Sequence, residues 1–374
     1  MRTTTAAASD VANGSSSHSV YFDALFRDSK NRVVAPPVLP AAARLADTHA
    51  HLDMLRHPHL ALARAAAHGL RLVVTVVDPN ENPAYTLSNI DDWLAKAQIL
   101  LDRWTQQGLL AQWTAEGLLA TTTHDLNGLT PPQVRVIIGC HPHNASRYDA
   151  SAEAELISAL PNSQVVGIGE IGLDYHYDNS PRDVQQQVFR RQLELAHTQH
   201  LSVALHLREA HADGLRILQE VGLPPAGALL HCFTSDFATL EPFLAMGCLV
   251  AFGGALTFRK AEQVRDAACH TPIDRLVVET DSPFMAPHPL RGTVCGPENI
   301  VFTAALLADL HNSDSSRVEP ASGPHAAAPS LAALTVAPSV CLPPSATASQ
   351  PPVVSLPAPI LATLYDTADH FFQR

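Results

Sequence analysis

One repeating pattern restricts the fold of this 374-residue chain more than any other. Short runs rich in Val, Ile and Leu recur, and a stretch with helical spacing follows most of them. The runs cover residues 45–49, 70–77, 134–139, 165–170, 201–206, 228–231, 248–252 and 276–280. Among the intervening stretches, 181–200 carries Phe189, Leu193, Ala196 and His200 at three- and four-residue spacing, and 210–220, 237–246 and 260–270 read the same way. Strands that are apolar throughout and separated by helices belong to a parallel sheet covered on both faces. Eight of them in one region predict an α/β fold of the closed (β/α)8 type, a TIM barrel, over residues 41–311.

Four segments depart from the ideal repeat. Residues 80–132 are long for one crossover and read as a helical insertion after the second strand. Its helix starts at about Ser88, with Leu94, Ala97, Leu101 and Trp104 on one face, and a second piece covers 109–119. Residues 1–40, with Gly14-Ser15-Ser16-Ser17 and Pro36-Pro37, read as a flexible tail. Residues 312–357 are biased to Pro, Ala and Ser and carry only Asp314, Arg317 and Glu319 as charges, a composition that lacks a face to bury. They are expected to form a flexible linker. Beyond it, Ile360, Leu361, Leu364, Tyr365, Ala368 and Phe372 mark an amphipathic helix over 358–374, expected to dock on the barrel and close its outer ring.

Composition excludes some functions. No apolar run approaches the ~20 residues of a membrane span, and the first twenty residues lack the apolar core of a secretory signal. Six cysteines show no Cys-x-x-Cys pairing, which argues against a disulfide framework or a zinc ribbon and for a reducing cytoplasm. The net charge of −12 disfavours a nucleic-acid binder that works by bulk attraction. It leaves room for an enzyme whose bound cations supply positive charge locally.

The chemistry gathers at the predicted strand ends, where a barrel of this kind keeps its active site. In an extended strand His49 and His51 point to the same side and can grip one metal ion, with flanking carboxylates to orient them. With 20 His in the chain the bare pattern is weak, and His57/His59 and His141/His143 show it too. The other strand ends supply Cys140, His141 and His143, then Glu170, His206, His231 and Asp281. A lone histidine is more often a hydrogen-bonded core residue, and a lone Asp before Ser-Pro is more often a turn. For the set, all of those bland readings must hold at once. Glu170 lies deep in Val166-Gly167-Ile168-Gly169-Glu170-Ile171-Gly172. A carboxylate buried there needs a cation or strong donors, and bridging two metal ions would meet that need.

The motifs together resemble the TatD family of metal-dependent deoxyribonucleases. They are Asp47-Thr48-His49-Ala50-His51-Leu52-Asp53, Gly139-Cys140-His141-Pro142-His143, Gly169-Glu170-Ile171-Gly172-Leu173-Asp174-Tyr175, Leu205-His206-Leu207-Arg208, His231-Cys232-Phe233 and Glu279-Thr280-Asp281-Ser282-Pro283. The likeness runs from about residue 43 to 310. It implies an amidohydrolase-like barrel that holds divalent metals, two per subunit, and hydrolyses DNA. It further implies that His49, His51, Glu170 and Asp281 hold one metal, while Glu170, His206 and His231 hold the second. The loop Arg291-Gly292-Thr293-Val294-Cys295-Gly296-Pro297-Glu298-Asn299 departs from the family, keeping Arg291 but not the usual Asn-Glu-Pro.

On this basis the expected reaction is phosphodiester hydrolysis by metal-activated water, with Asp281 taking the proton and Glu170 as the other catalytic group. His141, His143, Asp174, Arg208 and Arg291 are the expected substrate contacts. Imidazole ligands suit Zn, Mn, Co or Ni better than Mg, although the family includes Mg-dependent nucleases. DNA is the expected partner, with no membrane and no protein partner. Competing readings are an amidohydrolase-type enzyme acting on a small amide, lactone or phosphoester, a non-catalytic metal-binding scaffold, and an interaction protein. Glu170 stands where related enzymes often carry a bridging carboxylated lysine, which favours the nuclease.

Overall fold

The computed structural model describes residues 21–40, 43–122, 126, 128–315 and 357–373. Residues 1–20 of the expected tail and 316–356 of the expected linker lie outside them, while 312–315, expected in the linker, are helical.

Eight parallel strands form the barrel: β3 (Leu45–Ala50), β4 (Leu70–Val77), β5 (Gln133–Ile138), β6 (Val165–Asp174), β7 (Ser202–Arg208), β8 (Ala228–Leu230), β9 (Leu249–Phe252) and β10 (Leu276–Val278). Each pairs with its sequence neighbour. The ring closes between β10 and β3 through loop backbone, with Asp281 N–H donating to His49 O (2.9 Å) and His51 N–H to Ser282 O (2.7 Å). Buried Asp47 reinforces this seam. It does not orient a histidine ring as a flanking carboxylate might, but accepts from the Thr280 hydroxyl (2.5 Å) and the Thr280 amide (2.9 Å).

Two apolar layers follow from strand alternation. Leu72, Val74 and Val76 of β4 point into the barrel with Val166, Ala204, Leu229, Ala251 and Val277. The opposite faces pack against the surrounding helices, which are α1 (Pro58–Ala67), α2 (Pro83–Gln106), α4 (Ala150–Ala159), α5 (Arg182–Gln199), α6 (His211–Val221), α7 (Phe237–Met246), α8 (Glu262–His270) and α9 (Ile300–Ser315). The expected insertion is α2 plus α3 (Leu109–Ala115). Helix α2 begins before Ser88 because the Asn82 side chain caps the amide of Tyr85 and Pro83 fills the first turn.

Two expectations need correction. Residues 21–40 are not a tail. They contain a hairpin, β1 (Phe26–Arg27) with β2 (Val33–Val34), and bury Ala24, Phe26 and Leu39. Phe26 lies on His68 (ring centroids 4.3 Å) and edge-on to Phe302 (5.0 Å), while Trp104 donates to Phe22 O (3.0 Å). The apolar residues of this segment find their partners on α1, α2 and α9, far away in sequence. The second correction concerns α10 (Ala358–Phe371), which docks on the barrel but adds nothing to its outer ring. It lies across the N-terminal mouth: Phe372 and Ala368 join the interior layer, Arg135 of β5 pairs with Asp369 (2.7 Å), and Arg44 stacks on Tyr365 (4.5 Å).

His68, at the C-terminal end of α1, ties the N-terminal segment and the stretch after α3 to the barrel. Its Nε2 lies 2.7 Å from Ala24 O, and its Nδ1 accepts from the Ala120 amide (3.2 Å). Burial lowers its pKa from 6.5 to about 4. At pH 7 it is neutral in both folded and unfolded chains, so its contribution is complete. As pH falls from about 6.5 toward 4, the unfolded chain binds a proton that the folded one refuses, and stability drops. Replacing His68 by Gln removes this titration. The stability gap between wild type and H68Q, measured by urea unfolding, is expected to narrow by about 2–3 kcal/mol between pH 7 and 4.5. A gap independent of pH would remove His68 from the account.

Candidate metal centre

Every sequence-predicted metal ligand arrives at the C-terminal mouth of the barrel. β3 brings His49 and His51, β6 brings Glu170, β7 brings His206, and the turns after β8 and β10 bring His231 and Asp281. One glycine makes the β6–β7 approach possible. Gly172 has φ +143°, and a Cβ there would sit 2.0 Å from His206 O. Asp281 adopts φ +57°, which turns its carboxylate back over the histidines.

Glu170 is the centre of the arrangement and is 4% exposed. Its Oε2 lies 3.3 Å from His49 Nε2 and 4.0 Å from His51 Nε2. Its Oε1 lies 2.5 Å from His206 Nδ1, 2.8 Å from His231 Nε2 and 3.6 Å from His141 Nε2. Asp281 Oδ1 faces His51 Nε2 at 3.5 Å and His49 Nε2 at 3.9 Å. Three groupings have ligand atoms within 4.8 Å of one another: His49, His51 and Glu170; His49, His231 and Asp281; His141, Glu170 and His206. His231 thus grades into the first group, and His141, expected to touch substrate, stands beside the second.

The donor set fits divalent cations. Fully buried His49 has no hydrogen-bond partner at either ring nitrogen, a costly state that a cation would relieve. The 2.5 Å approach of His206 Nδ1 to Glu170 Oε1 requires a proton between two lone-pair-bearing atoms, at a place where both could turn to a cation instead.

Around the cluster stands a layer of groups that hold its side chains in place. Asp174 Oδ2 takes both His143 Nε2 (2.8 Å) and His206 Nε2 (3.2 Å). Its Oδ1 accepts the amides of His176 (3.0 Å) and Tyr177 (2.9 Å). Buried Glu279 faces His231 Nδ1 at 3.3 Å and accepts from Cys232 N–H. Asp78 accepts from His141 N–H (2.9 Å), and Gln192 holds the Cys140 amide (2.7 Å). Sequence reasoning assigned no role to Glu279, Asp78 or Gln192. Glu279 carried a usable signal, since it is a carboxylate at the end of an apolar run like Glu170.

Two expected contacts stand apart. Arg208 is exposed and stacks on Tyr177 (4.8 Å), and Arg291 is exposed and stacks on Phe258 (3.8 Å). In the divergent 291–299 loop, Glu298 and Asn299 are buried, with Asn299 bonded to Cys295 Sγ (3.5 Å).

A family model described as TatD related DNase matches residues 46–323. The chain belongs to the TatD family. Among curated TatD relatives, an uncharacterized metal-dependent hydrolase of Bacillus subtilis, YabD, is 38% identical over 46% of this chain and 68% of its own length. Escherichia coli YcfH, named likewise, is 39% identical over 47% of this chain and 66% of its own length. The human 3'-5' RNA nuclease TATDN2 is 38% identical over 42% of this chain, but the match spans only 21% of the human protein. The crystal structure of YjjV, a TatD homologue from Escherichia coli, superposes with a TM-score of 0.61 at 23% identity, covering 88% of this chain and 97% of that one, and shares the fold.

The electrostatics of this TatD centre couple protons to cations. Burial pushes the Glu170 carboxyl up, but His231, His141, His206 and His49 outweigh it and hold the group well below the usual range. Burial pulls His231 and His206 down, but Glu170, with Glu279 at His231 and Asp174 at His206, raises both above the ordinary histidine value of 6.5. The raised values favour the protonated rings, and a cation held there would have to displace those protons, so apparent affinity should rise as pH climbs through them. Calorimetric titration with Zn²⁺ at pH 7 in buffers of different ionisation enthalpy should report net proton release; a buffer-independent enthalpy would contradict it.

Asp174 offers a sharper test. Both of its oxygens accept, so Asn in its place must turn its NH₂ toward donors whichever way it flips. D174N is expected to weaken cation binding by about 10–100-fold while the fold stays intact. Unchanged affinity would show that Asp174 does not orient His206.

Proposed function

We propose that this chain hydrolyses phosphodiester bonds of nucleic acid, with two divalent cations held by His49, His51, Glu170, His206, His231 and Asp281. DNA is the first substrate to consider, from the family's name, and the human relative's name adds RNA. The observation that carries the reading is Glu170. Its two oxygens face different histidine groups, Oε2 toward His49 and Oε1 toward His206 and His231, as a carboxylate shared between two cations would. Bound there, divalent cations would lower the pKa of water and neutralise the charge that builds on phosphorus-bound oxygens.

The chain's own groups do the rest. Burial pushes the Asp281 carboxyl up, but bonding to His51 and the charges of His231 and His49 bring it below its usual value. It is therefore ionised at neutral pH and free to accept a proton. Its side chain is 18% exposed, more open than Glu170 at 6%, so water reaches it. His143 stands at the rim on Asp174, within reach of a phosphate, and Arg208 offers a guanidinium outside it. The acidic chain, at net −12, gives a polyanion no bulk attraction, so substrate would be held through the cations. A cytoplasmic setting agrees with Cys140, Cys232, Cys248 and Cys295 being thiols. No helix among the described residues is long and apolar enough to cross a membrane.

The test is a panel of single- and double-stranded DNA, RNA and bis(p-nitrophenyl) phosphate, each with Zn²⁺, Mn²⁺, Co²⁺, Ni²⁺ or Mg²⁺. Cleavage of a small amide or lactone with every phosphodiester left intact would overturn the proposal. Within the panel, E170A should lose both cations together by elemental analysis. D281N should lose about 10²–10⁴ in turnover at saturating metal while staying folded. A metal-loaded D281N that turns over at the wild-type rate would remove Asp281 as the base.

A further inference from the structure

His141 is the cluster's odd member. Its side chain caps the 3₁₀ turn Pro142–Arg147, with Nδ1 accepting from the backbone N–H of His143 (3.1 Å). A backbone amide can only donate, so Nδ1 must keep its lone pair turned toward it. In the neutral ring the single proton is then on Nε2. That is the atom facing the cluster, 3.6 Å from Glu170 Oε1 and 3.4 Å from His206 Nδ1.

His206 is set the other way. Its Nε2 lies 3.2 Å from Asp174 Oδ2, which can only accept. Nδ1, 2.5 Å from Glu170, is therefore the nitrogen that becomes a lone-pair donor once a cation displaces the proton there. Two rings 4.5 Å apart present opposite chemistry to the same space, a proton from one and a lone pair from the other.

We propose that His141, although within ligand distance of Glu170 and His206, is no metal ligand but a fixed neutral N–H donor aimed at an oxygen of the bound phosphodiester. This rests on the phosphodiester reading above. The ring is held in place before substrate arrives: Asp78 takes the His141 amide (2.9 Å) and also the Asn144 side chain (3.0 Å), and Gln192 fixes Cys140 (2.7 Å). The side chain is 20% exposed and so borders the open side of the cluster, from which a substrate oxygen would approach. A preorganised donor at developing negative charge contributes by hydrogen bonding alone, with no proton leaving the ring.

The experiment uses the full chain with Zn²⁺ or Mn²⁺. Long-range ¹H–¹⁵N spectra of ¹⁵N-histidine protein, with His141 assigned by its loss in H141Q, should show the Nε2–H form both metal-free and Zn²⁺-loaded. A switch to Nδ1–H on loading would overturn the proposal. Elemental analysis should find wild-type Mn²⁺ content in H141A and reduced content in H206A; metal lost from H141A would make it a ligand. On bis(p-nitrophenyl) phosphate at saturating Mn²⁺, H141A should lose about 10²–10³ in kcat. H141Q, whose amide N–H can reach the same place, should recover part of it, and equal loss in both variants would overturn the donor role. If wild type cleaves no phosphodiester at all, the function proposed above fails, and the tautomer and metal content still decide whether His141 is outside the metal shell.

Discussion

A carboxylate that is 4% exposed in the mouth of an apolar barrel has to be neutralised by its surroundings. Glu170 is ringed by imidazoles whose charge depends on protons or cations. Much of the local sequence serves this constraint. Gly172 lets β6 approach β7 closely enough for His206 to reach it, and the β3–β10 seam carries His49, His51 and Asp281 to its other side. Removing the carboxylate would leave five histidines facing one another, and removing the histidines would leave a buried charge. Neither half of the site is a stable design without the other.

The histidines are sorted by what stands behind them. Asp174 and Glu279 are acceptors, so the rings in front of them turn a nitrogen lone pair inward once their inner proton is gone. Behind His141 stands a donor, the His143 amide, and the polarity reverses. Spacing in the sequence cannot convey this. His49/His51 and His141/His143 share one pattern, yet the first pair sits on a strand end with both rings inward. The second straddles the start of a 3₁₀ turn.

The barrel was legible because its strands are apolar on both faces, and a run such as residues 70–77 has no other home. The candidate cluster was legible because strand ends are where polar groups interrupt those runs. What escaped depends on contacts between distant segments. The hairpin at Phe26–Arg27 and Val33–Val34 owes its order to Phe302, His68 and Trp104, none of them nearby in sequence. Helix α10 shows a clear apolar stripe, but a stripe does not say whether it faces a groove between helices or the open end of a barrel. In the loop that departs from the family pattern, Glu298 and Asn299 are buried, which its sequence does not convey.

The position of α10 also puts a clock on folding. Arg44, just before β3, meets Asp366, and the two are 322 residues apart in sequence. At a synthesis rate of about 5–20 residues per second, tens of seconds separate their appearance. Throughout that interval the first strands exist without the residues that seal their lower end. The interior layer around Leu72, Val166 and Leu229 stays open to water until Phe372 arrives. Until then a nascent barrel of this kind leaves that apolar layer unsealed, a surface prone to aggregate during synthesis.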